Sequence, residues 1–132
     1  MVCTTFKNNG SFLETMVIIA REELKKLIDT QAKYVLIDVR EKEELDYGMI
    51  PTAQNLPLHA FEDAFAMTEE DFEKKYRFPK PKKEDMVIFY CRTGGRSAIA
   101  THFAEEKGYT HAKNYAGSIY DWADIDPKVR RY

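Results

Sequence analysis

The sequence predicts an α/β domain: a central, mostly parallel sheet of about five strands covered by helices on both faces. Three observations predict it. Short apolar runs alternate with amphipathic or polar helical runs from Met16 onward. The most strand-like run, MVIFY (Met86 to Tyr90), is apolar at every position, as a strand covered on both faces must be. No repeat, low-complexity tract or second set of elements follows, and 132 residues is the size of one domain.

Each element has its own justification. MVII (Met16 to Ile19) reads as a strand, and AREELKKLID as a helix with Leu24, Leu27 and Ile28 on one face and Glu22 placed to pair with Lys26. YVLID (Tyr34 to Asp38) is the next buried strand. REKEELDYG is a short polar helix stopped by Gly48, and AQNLPL is a brief extended segment checked by Pro57. Phe61 with Phe65 and Phe72 with Tyr76 form i,i+4 pairs on two helices, the second capped by Thr68 with Asp71 in its first turn. RFPKPKKED reads as a solvated surface connection. MVIFY then supplies the central strand. Beyond Cys91 to Arg96 comes a helix with Ile99 and Phe103 on one face and Gly108 as its stop, then a strand AKNY and a last helical piece around SIYDWAD. Residues 1–15 are expected to form a flexible arm and 16–132 the domain.

Composition narrows the function. The chain is 44% hydrophobic and 32% charged, with 20 basic and 22 acidic side chains mixed along most of its length and a net charge of -2. That balance leaves no footprint for nucleic acid. No apolar stretch approaches the roughly 20 residues that span a bilayer, so no membrane association is expected. Cys3 and Cys91 lie far apart, which argues against a structural disulfide and for a reducing compartment. The first residues carry neither a secretory signal nor the Arg-rich pattern of a mitochondrial leader. The expected compartment is therefore the cytoplasm, with the mitochondrion as the alternative. Asn9-Gly10-Ser11 matches a glycosylation acceptor, a chance match without a secretion signal. His59, His102 and His111 show no ligand-like clustering, so neither metal nor cofactor is expected. A chain of this size is expected to be a monomer.

The chemistry concentrates in CRTGGR (Cys91 to Arg96), between the central strand and the helix that follows. Ligands of open parallel sheets bind beyond the carboxyl ends of the strands, and Cys91 stands at one such end. Thr93, Gly94 and Gly95 allow the loop to curl so that successive backbone N–H groups point at one spot, which makes an anion nest. With the sulfur of Cys91 at its centre, the amides, the helix start near Ser97, Arg92 and Arg96 would all favour thiolate over thiol. The alternative is a small inert core cysteine beside an ordinary turn. One cysteine, two glycines and two arginines within six residues favour the reactive site.

Four separated segments resemble the rhodanese family of sulfurtransferases over about residues 17–126: LIDVRE (Leu36 to Glu41), YGMIPTAQNLP, YCRTGGRS and YAGSIYDW. FEKKYRFPKP further resembles the small eukaryotic single-domain thiosulfate sulfurtransferases. The second segment departs from the family pattern twice, with Met49 in place of the usual His and Thr52 in place of the usual Gly. The resemblance implies a thiosulfate sulfurtransferase in which Cys91 takes the outer sulfur of thiosulfate, releases sulfite and holds a persulfide. Glutathione, a protein cysteine or cyanide then collects the sulfur.

The resemblance also implies roles for the neighbours. Arg92 would reach the sulfonate of thiosulfate or stand in solvent. Arg96 would close the loop, holding backbone carbonyls or the anion. Asp38 and Arg40 would frame the pocket or form an ion pair fixing the strand end. Ser97 would cap the helix or offer its hydroxyl to the thiolate. Gly117 and Trp122 would shape a turn and fill the core. Three rivals stand beside this reading: a persulfide carrier docking through KPKKED, a non-catalytic binding module, and a Cys-dependent phosphatase or arsenate reductase. The last needs five residues between Cys and Arg where this loop has four. Cys3 is also considered as a resolving thiol for the persulfide.

Overall fold

The computed structural model describes residues 16–132. The arm expected at 1–15, with Cys3 and Asn9, lies outside the described residues. Five parallel strands form one sheet: β1 (Val17–Ile18), β2 (Val35–Asp38), β3 (Gln54–Asn55), β4 (Met86–Tyr90) and β5 (His111–Asn114), in the order β1-β5-β4-β2-β3. The apolar strand β4 lies at the centre. It pairs with β2 through Val35 and Val87 to Asp38 and Tyr90, and with β5 through Met86 and His111 to Phe89 and Asn114.

Alternation along β2 and β4 divides the core in two, because successive side chains of a strand point to opposite faces. Ile37, Val39, Val87 and Phe89 pack with α2 (Phe61–Ala66), α3 (Glu69–Tyr76) and α4 (Gly95–Glu106). Leu36, Ile88 and Tyr90 pack on the other face with Leu24 of α1 (Arg21–Asp29) and with Ile119 and Trp122 of α5 (Ser118–Trp122). Helices thus cover both faces. Both aromatic pairs form, Phe61 with Phe65 at 5.3 Å and Phe72 with Tyr76 at 5.0 Å between ring centroids. Thr68 caps α3 by accepting the Asp71 N–H at 3.1 Å.

Two local expectations differ, on α1 and α4, and two segments gain detail. REKEELDYG forms a 3₁₀ helix, Lys42–Tyr47, begun by a capping box in which Glu44 reaches back to the Glu41 N–H at 2.9 Å. On α1 the i,i+4 ion pair is Lys25 with Asp29 at 2.6 Å, while Glu22 turns toward Arg21. On α4 the buried residues are Ser97, Ala100, Thr101 and Ala104, and Ile99 is 59% exposed. Small side chains let this helix lie close against the sheet, a face that an apolar-spacing argument passes over.

RFPKPKKED is an irregular, mostly exposed connection that is also tied into the fold. Phe78 and Pro81 are buried, Lys80 Nζ donates to the Phe65 and Met67 carbonyls at 3.0 and 2.8 Å, and Lys83 Nζ donates to the Lys107 carbonyl. These lysines satisfy carbonyls at the carboxyl ends of α2 and α4, where helix dipoles favour cations. Lys82 lies 3.9 Å from Glu69. Lys80 and Lys83 are thus engaged with carbonyls of the fold, while Lys82 and Lys83 remain exposed residues.

Candidate active site

Cys91 follows β4 directly, and its residue is 1% exposed. The chain then turns through Arg92, Thr93 and Gly94 into α4, whose N-terminus faces back on the sulfur. Gly94 stands at φ +103 with its N–H donating to Cys91 Sγ at 3.1 Å. A Cβ there would sit 2.4 Å from the Ala116 carbonyl oxygen, so the turn has room for glycine alone. Ser97 Oγ lies 3.6 Å from the sulfur, accepting from the thiol S–H while donating to the Gly94 carbonyl at 3.1 Å.

Two opposed effects set the protonation of Cys91. Burial, the largest, pushes the thiol up. The Ser97 hydroxyl, by turning its proton from the Gly94 carbonyl to the charged sulfur, and the Ser97, Gly94 and Thr93 amides favour the thiolate, and together they leave the thiol below its ordinary value.

A second element clamps the loop from outside. The Ile119 and Tyr120 N–H groups, at the start of α5, donate to the Cys91 and Arg92 carbonyls, each at 3.1 Å. Ser118 Oγ accepts the Cys91 N–H at 3.0 Å and donates to the Tyr115 carbonyl at 2.9 Å. Ser118 adopts φ +57, a left-handed conformation costing a non-glycine residue about 1–2 kcal/mol. That strain sits where its hydroxyl fixes the Cys91 backbone.

The arginines divide their work differently from expectation. Arg96 grips a carboxylate, Glu44, with Nη1–Oε2 at 2.6 Å and Nη2–Oε1 at 2.9 Å, in place of carbonyls or a ligand. That pairing holds the Glu44 carboxyl down at about 2 and raises Arg96, and the charge on Cys91 also contributes to raising Arg96. The Arg92 guanidinium lies over the ring of Tyr132, 4.6 Å from its centroid, and its Nε is buried without a hydrogen-bond partner among the described residues. An orphaned buried donor costs about 1–3 kcal/mol. Of the two, Arg96 is the cation coupled to the sulfur, and Arg92 rests on an aromatic ring.

Asp38 and Arg40 are both fully buried and joined by Arg40 Nε and Nη2, the shortest contact 2.7 Å. They form the ion pair that fixes the strand end, with both residues at 0% exposure. Arg40 supports the site at one remove, donating to the Gly48 and Glu44 carbonyls and to Tyr132 Oη. Gly95 begins α4 and Thr93 is exposed at the loop tip. Gly117 precedes α5, and Trp122 is buried with its Nε1–H donating to Asp126 at 3.0 Å.

Glu44, Ser118 and Tyr132 are the site residues that sequence reasoning passes over. The Glu41-x-x-Glu44 spacing of a capping box offered a signal for the first. Nothing local marks the other two.

Thr52 occupies φ +75, a conformation that favours glycine, and its hydroxyl lies 2.9 Å from Tyr34 Oη. A cleft of about 530 Å³ opens at the amino ends of β2 and β3, lined by Ile28, Tyr34, Phe78 and Pro81, with no cysteine in its lining. Among the described residues no three His, Cys, Asp or Glu side chains gather to hold a metal ion, and no helix is long and apolar enough to cross a membrane.

Comparison with known proteins agrees with this geometry. The model of the rhodanese-like domain matches residues 20–125. A mitochondrial protein of Schizosaccharomyces pombe is 46% identical over 90 residues, which are 68% of this chain and 63% of that protein. A human thiosulfate:glutathione sulfurtransferase is 40% identical over 103 residues, 77% of this chain and 89% of that one. The solved structure of the human single-domain sulfurtransferase TSTD1 superposes with a TM-score of 0.78 at 37% identity, covering 83% of this chain and 96% of that one. The fold, the cysteine loop and these similarities agree, and the chain belongs to the rhodanese-like domain family and is similar to its small single-domain members.

Proposed function

We propose that this protein is a rhodanese-type sulfurtransferase that moves sulfane sulfur from thiosulfate to a thiol through a persulfide on Cys91. The observation that carries the reading is the Cys91 sulfur seated at the N-terminus of α4, 3.1 Å from the Gly94 amide, with its thiol lowered by loop amides and Ser97. The thiolate attacks the outer sulfur of thiosulfate as the S–S bond breaks, and sulfite leaves with the electron pair. Cys91 then carries the transferred sulfur as a persulfide anion. An acceptor thiolate attacks that terminal sulfur, takes it, and returns Cys91 as thiolate. No net proton or electron is required in either half. N–H donors already aimed at the sulfur stabilise each anion in turn without reorganising.

Glutathione is the acceptor favoured by similarity to the human thiosulfate:glutathione sulfurtransferase. A protein cysteine and cyanide are further acceptors of the same chemistry. The narrow loop, with four residues between Cys91 and Arg96, suits one sulfur atom at its centre better than a phosphate. The cytoplasm is the proposed compartment, with the mitochondrion as the alternative that the fission-yeast relative supports.

The test is intact-protein mass spectrometry after brief incubation with thiosulfate and desalting, beside Cys91→Ser. The expected species is heavier by one sulfur atom, absent from the variant and removed by glutathione. No adduct under excess thiosulfate would refute the donor assignment.

A further inference from the structure

Arg92 is the loop cation without an ion pair among the described residues. Arg96 is paired with both oxygens of Glu44, at 2.6 and 2.9 Å, whereas the buried Arg92 Nε has no acceptor among those residues. What holds Arg92 is the ring of Tyr132, 4.6 Å from Cζ. Tyr132 is itself fixed by several contacts. It stacks on Tyr47 with centroids 4.1 Å apart and planes 16° from parallel. Its Oη donates to Glu44 Oε1 at 2.8 Å and accepts from Arg40 Nη1 at 3.1 Å. Two residues earlier, Arg130 ties the segment down, with its N–H on the Tyr47 carbonyl at 2.8 Å and Nη2 on the Asp46 carbonyl at 2.7 Å. Tyr132 lies outside the family match, which ends at residue 125.

We propose that Tyr132 is a positioning residue whose ring holds the Arg92 guanidinium at the rim of the Cys91 loop, ready for the anionic end of an incoming donor. A carboxylate partner, such as Arg96 has, would neutralise the charge and occupy the N–H donors. An aromatic face attracts a guanidinium while leaving its in-plane donors free. The stack also settles the rotamers of a long side chain before the ligand arrives, which lowers the entropic cost of binding. Because Tyr132 and Arg96 share the Glu44 carboxylate, the ring is anchored to the same carboxylate that grips the loop. The proposal rests on the sulfurtransferase reading only for the identity of the anion.

Alkylation of Cys91 by iodoacetate, an anion, and by iodoacetamide, its neutral counterpart, tests this without any sulfur transfer. Both rates are read on the Cys91 peptide of the full chain by mass spectrometry. Tyr132→Ala and Tyr132→Leu are each expected to lower the iodoacetate-to-iodoacetamide ratio about fivefold. Arg92→Ala does the same, and the double variant Arg92→Ala/Tyr132→Ala loses no more than either single one. Tyr132→Phe keeps the ring and most of the ratio. The iodoacetamide rate alone separates this role from collapse of the loop, which would move both rates. With thiosulfate as substrate, Tyr132→Leu raises KM and leaves kcat.

An unchanged ratio in Tyr132→Leu would overturn the proposal, as would additive losses in the double variant or a Phe variant as impaired as Leu. A lowered ratio in a protein that forms no persulfide would keep this proposal and refute the thiosulfate assignment. A persulfide-forming protein whose ratio is indifferent to Tyr132 would do the reverse.

Discussion

Glu44→Gln removes the charge that joins the 3₁₀ helix, the loop and Tyr132. In the folded protein Glu44 accepts two hydrogen bonds from Arg96, one from the Glu41 N–H and one from Tyr132. The Arg96 contact is the main cause that lowers its carboxyl from 4.5 to about 2. At about 1.4 kcal/mol per pH unit the lowering corresponds to about 3 kcal/mol. The Glu44 side chain is 21% exposed, so solvent screening brings the expectation to about 1–2 kcal/mol. A depressed carboxyl stabilises the fold above its unfolded value, and that contribution disappears as pH falls from 4.5 through about 2. Urea unfolding of wild type and Glu44→Gln at several pH values checks this. The gap between them should be constant above about pH 5 and close as pH falls toward 2. Parallel curves over that range, or a cost at neutral pH below about 0.5 kcal/mol, would refute the assignment of the lowered carboxyl to the Arg96 grip.

Three further outcomes follow from the site. Gly94→Ala forces a Cβ to 2.4 Å from the Ala116 carbonyl at φ +103, and is expected to cost at least about 2 kcal/mol. Gly95→Ala meets nothing within 4 Å at the first turn of α4, and should gain up to about 1 kcal/mol; urea midpoints of the two variants check the contrast. Ser97→Ala removes the hydroxyl 3.6 Å from the sulfur, so the pH midpoint of Cys91 alkylation by iodoacetamide, below that of a free thiol in wild type, should move up; an unmoved midpoint would reject the hydroxyl as a stabiliser. Asp38→Asn leaves Arg40 buried without its counter-charge, a cost of about 3–5 kcal/mol by chemical denaturation.

Periodicity and side-chain type made much of the architecture legible. An uninterrupted apolar MVIFY marked the central strand, because a strand covered on both faces has no polar side to show. Cysteine, two glycines and two arginines after that strand marked the turn in which the Gly94 amide meets the sulfur, since glycine allows a backbone to bend there. The buried face of α4 was not legible, because Ser97, Ala100, Thr101 and Ala104 are chosen for small size and carry little hydrophobic signal.

What the sequence by itself determined, then, is the order and kind of elements and the place of the cysteine loop, all of which arise from residues close together along the chain. Only the tertiary structure decided which partners surround the sulfur. Ser118 reaches Cys91 across 27 positions, Arg96 meets Glu44 across 52, and Tyr132 meets Glu44 across 88. No local pattern encodes such meetings, since they exist only once the parallel sheet has brought the carboxyl ends of β2, β4 and β5 side by side. The division of labour between the two arginines follows from that closure: one is given a carboxylate and the other an aromatic ring.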